Sequence, residues 1–216
     1  VVEEGNLALM QLVDNSNMLP SYYKLLFTSF KVFCNNSALE LHKLDLLHIN
    51  LDEATFILDM PTVITFAEFS AKTQCEIVGN LAVTTVLHEY IKSVYKSFIR
   101  YANPDLYEAM RSGNLLQYSP YVDVDSKEHI SKLLYWIDSH CKDIVADHAL
   151  AIISNDNRTP LKDQLFSSLS MLMQPNFYFV TDDRGLGKVL PGISIISTET
   201  YIKLFSSPEV AEAYSE

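Results

Sequence analysis

A chain of 216 residues is long enough to bury a sizeable core, and its balance of 48 % hydrophobic and 20 % charged residues, with 6 Gly and 8 Pro, is that of a globular domain. This excludes a disordered tail, a collagen-like rod and a disulfide-stapled mini-protein. Acidic residues outnumber basic ones 27 to 16, a net charge of −11, so the overall field repels nucleic acid unless cations are gathered locally.

Cys34, Cys75 and Cys141 stand far apart with no Cys-x-x-Cys pair, which points away from a disulfide framework or a cysteine-rich zinc site and toward a reducing, cytoplasmic location. No apolar run approaches the ~18 residues of a membrane span, and the start lacks the basic and apolar regions of a signal peptide. Opening on Val1 in place of Met suggests a piece of a longer protein.

Residues 1–52 read as a helical extension. Leu7, Leu9, Met10, Leu12 and Val13 have apolar helical spacing, Pro20 and Ser21 open a run from Tyr22 to Cys34, and Ser37 suits the cap of a helix through Leu46. At Thr55-Phe56-Ile57-Leu58 the pattern changes to a buried strand. Leu81 to Thr84 reads as a second strand, followed by a helix from Thr85 to Tyr101 with Leu87, Ile91, Val94, Phe98 and Tyr101 on one face. Pro104, Gly113 and Pro120 mark residues 102–128 as a long insertion, with a short helix over Leu106 to Arg111. His129 to Ile153 reads as helical. Thr159-Pro160 then starts a helix to about Met173, Phe177 to Thr181 and Ile193 to Ser197 are strands, and a last helix runs from Thr198 to Phe205. Strands separated by helices predict a three-layer α/β/α domain over residues 53–216, with a mostly parallel sheet of four to five strands.

In such a sheet the site lies beyond the carboxyl ends of the strands. Asp59 ends the first strand, Glu89 follows the second, Asp182 and Asp183 follow Phe177 to Thr181, and Asp163 begins the helix capped by Thr159. Converging carboxylates repel, and a hard cation bound through oxygen relieves them. The same positions also read as ordinary caps and turn formers. Glu89, Lys92, Ser93, Lys96 and Arg100 share one helical face, a basic stripe suited either to a phosphate backbone or to solvent. Lys162 and Arg184 flank acidic candidates and suit phosphate contact or local charge balance. Gly185-Leu186-Gly187-Lys188 lacks the spacing of a phosphate loop, and His140, Asp143, Asp147 and His148 form no metal motif.

Phe177-Tyr178-Phe179-Val180-Thr181-Asp182-Asp183, continuing through Ile193 to Tyr201, resembles the C-terminal half of a PIN domain, in which an apolar strand runs into Thr-x-Asp. Lys162-Asp163-Gln164-Leu165, Ala82 to Glu89 and Phe56-Ile57-Leu58-Asp59 match the family's remaining acidic positions, at separations of 30, 74 and 20 residues from Asp59 onward. The resemblance spans about residues 54–205, and with a helical segment in front it looks like the PIN module associated with tetratricopeptide and GreAB-C modules. It implies hydrolysis of phosphodiester bonds in single-stranded RNA by Mg²⁺ or Mn²⁺ held by Asp59, Glu89, Asp163 and Asp183. Asp182 is the alternative to Asp183. The family follows its first Asp with a hydroxyl residue, whereas this chain has Met60-Pro61-Thr62; Thr62 is the substitute, and Thr181 belongs to the same site. The alternative is a catalytically weak PIN-like interaction or scaffold domain whose acidic surface, or residues 1–52, meets a protein partner or further domains.

Overall fold

The computed structural model describes residues 18–27, 50, 52–101, 124–145, 159–183, 186 and 195–215. The helices expected at Ser37 to Leu46 and Leu106 to Arg111, most of the insertion, and Arg184 lie outside them.

β1 (Thr55–Leu58) is central, flanked by β2 (Leu81–Thr84) and by β4 (Phe177–Val180); β3 (Cys141–Ile144) and β5 (Ile195–Ile196) are the edges. The order is β3-β2-β1-β4-β5 and every pairing is parallel, with Ile57 opposite both Ala82 and Phe179. Parallel strands require crossovers, supplied here by α2 (Met60–Thr73), α3 (Thr85–Tyr101), α4 (Val124–His140) and α5 (Pro160–Met171). The chain closes with α6 (Thr198–Phe205) and α7 (Pro208–Ser215), and α1 (Met18–Phe27) precedes the sheet. Together these form the α/β/α layering expected from the alternation of elements.

Alternation along β1 divides the core. Phe56 and Leu58 join Val180, Ile64, Phe66, Leu133 and Tyr201 in the larger cluster, while Ile57 joins Phe179, Met171 and Leu186 on the other face. α1 shares the larger cluster through Met18, Leu19 and Tyr22. Leu19 N–H donates to Tyr90 Oη at 3.4 Å, and Tyr23 Oη donates to the His129 carbonyl at 3.4 Å, so this part of the N-terminal region is packed onto the sheet domain.

One sequence expectation is corrected at β3. The helix beginning before His129 stops at His140, and Cys141 to Ile144 pair with Leu81 to Thr84 instead of extending it. β3 is an edge strand with Lys142 and Asp143 exposed, so it lacks the apolar signature of the central strands, and ladder pairing with β2 overrides its weak local preference.

Gly79 precedes β2 with φ +139°, and an added Cβ would lie 2.0 Å from Tyr201 Oη, which donates to the Val78 carbonyl. Gly79→Ala is expected to lower stability by about 2–3 kcal/mol through backbone strain and displacement of the Tyr201 ring. Urea unfolding checks this, and an unchanged midpoint would refute it.

Candidate functional site

The strand order reverses between β1 and β4, one leading to β2 and the other to β5. The crevice beyond their carboxyl ends is where open α/β sheets place ligands, and here those ends carry Asp59 and the run Thr181 to Asp183.

Asp59 caps α2: its Oδ1 accepts from Thr62 N–H at 2.9 Å, with Pro61 in the first turn. Its Oδ2 accepts from the Thr181 hydroxyl at 2.5 Å, and the same hydroxyl accepts from Asp183 N–H at 3.1 Å. Thr181 thus ties the two acids into one unit. Asp183 Oδ1 accepts from Leu186 N–H at 3.4 Å. Both carboxylates are buried, at 9 % and 5 % exposure. Burial pushes the Asp59 carboxyl up to about 7, with the Asp182 charge adding to it, against the hydrogen bonds from Thr181 and Thr62 that lower it.

The cleft around them is lined by Tyr22 of α1, Gln164 and Ser168 of α5, and Phe179 of β4, with a free volume of about 30 Å³. That suffices for roughly one or two waters or a small ion, not for a nucleotide. Burial, and then the adjacent Asp59 and Asp183, raise the pKa of the Tyr22 phenol, so the N-terminal helix supplies a wall of this site.

The other candidates are not among the residues that line the cleft. Asp182 Oδ1 accepts from Thr198 N–H at 2.9 Å at the start of α6, which separates its role from that of Asp183. Thr62 Oγ1 donates to the Val180 carbonyl at 3.0 Å, pinning α2 to β4. Asp163 lies in the first turn of α5 outside the cleft lining, with its N–H bonded to the Thr159 carbonyl. Glu89 is on the outer face of α3, 68 % exposed and 3.5 Å from Lys92 Nζ. Lys96 shares that outer face, Arg100 lies in the last turn of the same helix, and Lys162 is exposed on α5. The structure therefore brings two of the four expected carboxylates together. Among the described residues no group of three or more His, Cys, Asp or Glu side chains is placed to hold a metal ion.

No family model, curated protein or solved structure matches the chain.

Oxygen chemistry nevertheless fits a hard cation at the cleft. The carboxylates of Asp59 and Asp183 and the amide oxygen of Gln164 are oxygen acceptors of the type that Mg²⁺ and Mn²⁺ prefer, and Gln164 Oε1 is an enclosed atom with no hydrogen-bond partner among the described residues. Tyr22, Gln164 and Ser168 were not among the sequence candidates. For α5 a signal existed: Gln164, Ser167, Ser168 and Met171 are all buried at i, i+3, i+4 and i+7, but three of the four are polar.

A second cluster joins α3, α4 and β3. His88 is buried, its Nδ1 lies 2.8 Å from Asp143 Oδ1 and its Nε2 3.1 Å from Asp138 Oδ1. His140 Nδ1 pairs with the Trp136 carbonyl at 2.9 Å and its ring stacks on Trp136. Asp147 and His148 lie outside the described residues.

Proposed function

We propose that this chain is a PIN-like, Mg²⁺- or Mn²⁺-dependent ribonuclease module acting on single-stranded RNA in the cytoplasm, within a larger protein. The observation that carries the reading is the pairing of Asp59 with Asp183 through Thr181 in a cleft at the reversal of strand order. Asp59, Asp183 and Gln164 would hold the cation. When bound, it supplies Lewis-acid activation of water and neutralises charge at the phosphorus.

The protein's part is positioning. Thr181 and the first turn of α2 fix the Asp59 carboxylate, and Leu186 N–H fixes that of Asp183. Tyr22 and Phe179 wall the site and limit bulk water. A phosphate meets the cleft at its mouth, since about 30 Å³ leaves no room for a nucleotide inside. Lys92, Lys96, Arg100 and Lys162 are the cations for the remaining backbone, with Thr62 acting indirectly through the placement of α2. No helix among the described residues is long and apolar enough to cross a membrane.

A specific observation favours a second reading, a catalytically weak interaction domain: Glu89 is solvent-facing and paired with Lys92, and the net charge is −11. The separating experiment incubates end-labelled single-stranded RNA with the chain in Mn²⁺ or in chelator. The enzyme reading requires Mn²⁺-dependent fragments; intact RNA with a folded, Mn²⁺-saturated chain leaves the interaction domain. Glu89→Gln is expected to change the cleavage rate by no more than about twofold, because exposed ion pairs on a helix contribute little. A loss of a hundredfold would return Glu89 to the site.

A further inference from the structure

Gln164 is 5 % exposed, and its Oε1 is enclosed without a hydrogen-bond partner among the described residues. A buried polar atom left unpaired costs stability, so each instance calls for an explanation. Two other described side-chain atoms share this condition, Thr198 Oγ1 and Ser206 Oγ, and neither residue lines the acidic cleft; His88 Nε2 is also enclosed but has the Asp138 carboxylate 3.1 Å away. Gln164 does, beside Asp59 and Asp183.

Its position follows from α5. Thr159 caps the helix by accepting from Lys162 N–H at 3.2 Å, which fixes the phase of the first turn. Successive residues are then about 100° apart. Gln164 shares the buried face with Ser167 and Ser168, while Asp163 stays outside the cleft lining. Ser167 locks this face by donating to the Gln164 carbonyl at 2.8 Å while its Oγ lies in hydrogen-bond contact with the Thr84 hydroxyl at 3.2 Å.

We propose that Gln164 Oε1 is the third protein oxygen of a site for a single divalent cation formed with Asp59 and Asp183, an inference that rests on the metal-dependent reading above. An amide carbonyl is a hard oxygen ligand. Being neutral, it leaves the set at a charge of about −2 when both carboxylates are ionised, which one divalent ion neutralises. A four-carboxylate site would instead suit two ions. The free volume of about 30 Å³ likewise suits one small ion with little water. The unpaired oxygen is thus kept for the ion, at a cost to the metal-free fold.

The test uses the full chain stripped of metal, with Mn²⁺ binding followed by loss of the free-ion electron-spin-resonance signal and stability by metal-free thermal melting. Wild type is expected to bind one Mn²⁺. Gln164→Met, similar in volume but without the oxygen, is expected to bind at least about tenfold more weakly and to melt no lower than wild type. Gln164→Glu, which restores an oxygen, is expected to bind at least as tightly as wild type. Unchanged affinity in Gln164→Met, two ions in wild type, or a Gln164→Met variant that melts well below wild type would each overturn the assignment. If wild type binds no Mn²⁺, the metal-dependent reading itself fails; if it binds and Asp59→Asn abolishes binding while Gln164→Met does not weaken it, only the role of Gln164 fails.

Discussion

Asp59→Asn is expected to lower Mn²⁺-dependent RNA hydrolysis by more than about 100-fold, because even the outer partners of metal ligands contribute 10- to 100-fold, while the fold survives. The side chain keeps its shape, and an Asn oxygen still caps Thr62 N–H at the start of α2. The substitution also removes the need to bury a charge. Cleavage assays with circular dichroism on the same samples check both halves. A variant that unfolds would make Asp59 a structural cap, and one that is folded and fully active would remove it from the chemistry.

The second large effect is on stability against pH in the metal-free protein. Burial raises the Asp59 carboxyl from its ordinary 3.8 to about 7, with Asp182 adding repulsion, and Asp183 and the Tyr22 phenol face the same cleft. Between these two values the folded chain holds a proton that the unfolded chain releases, so acidification favours folding through this group. Its contribution is fully present below pH 3.8 and is lost as pH rises through about 7. The separation corresponds to on the order of 4 kcal/mol. Asp59→Asn has no such proton, so it is expected to be the more stable protein at pH 8 and to converge with wild type toward pH 4. Urea midpoints of both chains across that range give the difference directly, and parallel curves would contradict the shift.

How much of this was legible depended on whether a residue's signal was local. Phe177 to Val180, Leu81 to Thr84 and the helix Thr198–Phe205 stand at or within a residue of their expected places, because their signals are written in adjacent residues. α2 is hidden in the sequence: Asp59 and Pro61 announce a helix start, but Val63, Ile64 and Thr65 are β-branched and mask it. β3 is equally hidden, because an edge strand needs no apolar face and continues the helical pattern before it.

The site divides in the same way. Asp59 and Asp183 follow strand ends, which the chain order reveals. Glu89 is adjacent to the buried His88, and the expected inner face through Leu87, Ile91 and Val94 already turns Glu89 outward. Asp163 stands out in the sequence by its charge at a helix start, whereas the helix phase set by Thr159 brings Gln164 to the cleft. Tyr22 was out of reach, since its place beside Asp59 depends on α1 packing against elements far along the chain.

Titration of Mn²⁺ into the metal-stripped chain by calorimetry, beside Asp59→Asn/Asp183→Asn, tests the central claim most directly. One ion per wild-type chain is expected, with weaker binding as pH falls below about 7 because Asp59 must release its proton, and no binding in the folded double variant. A folded wild type that takes up no Mn²⁺, or a double variant that binds it as tightly as wild type, would contradict the assignment of this cleft as a metal-dependent active site.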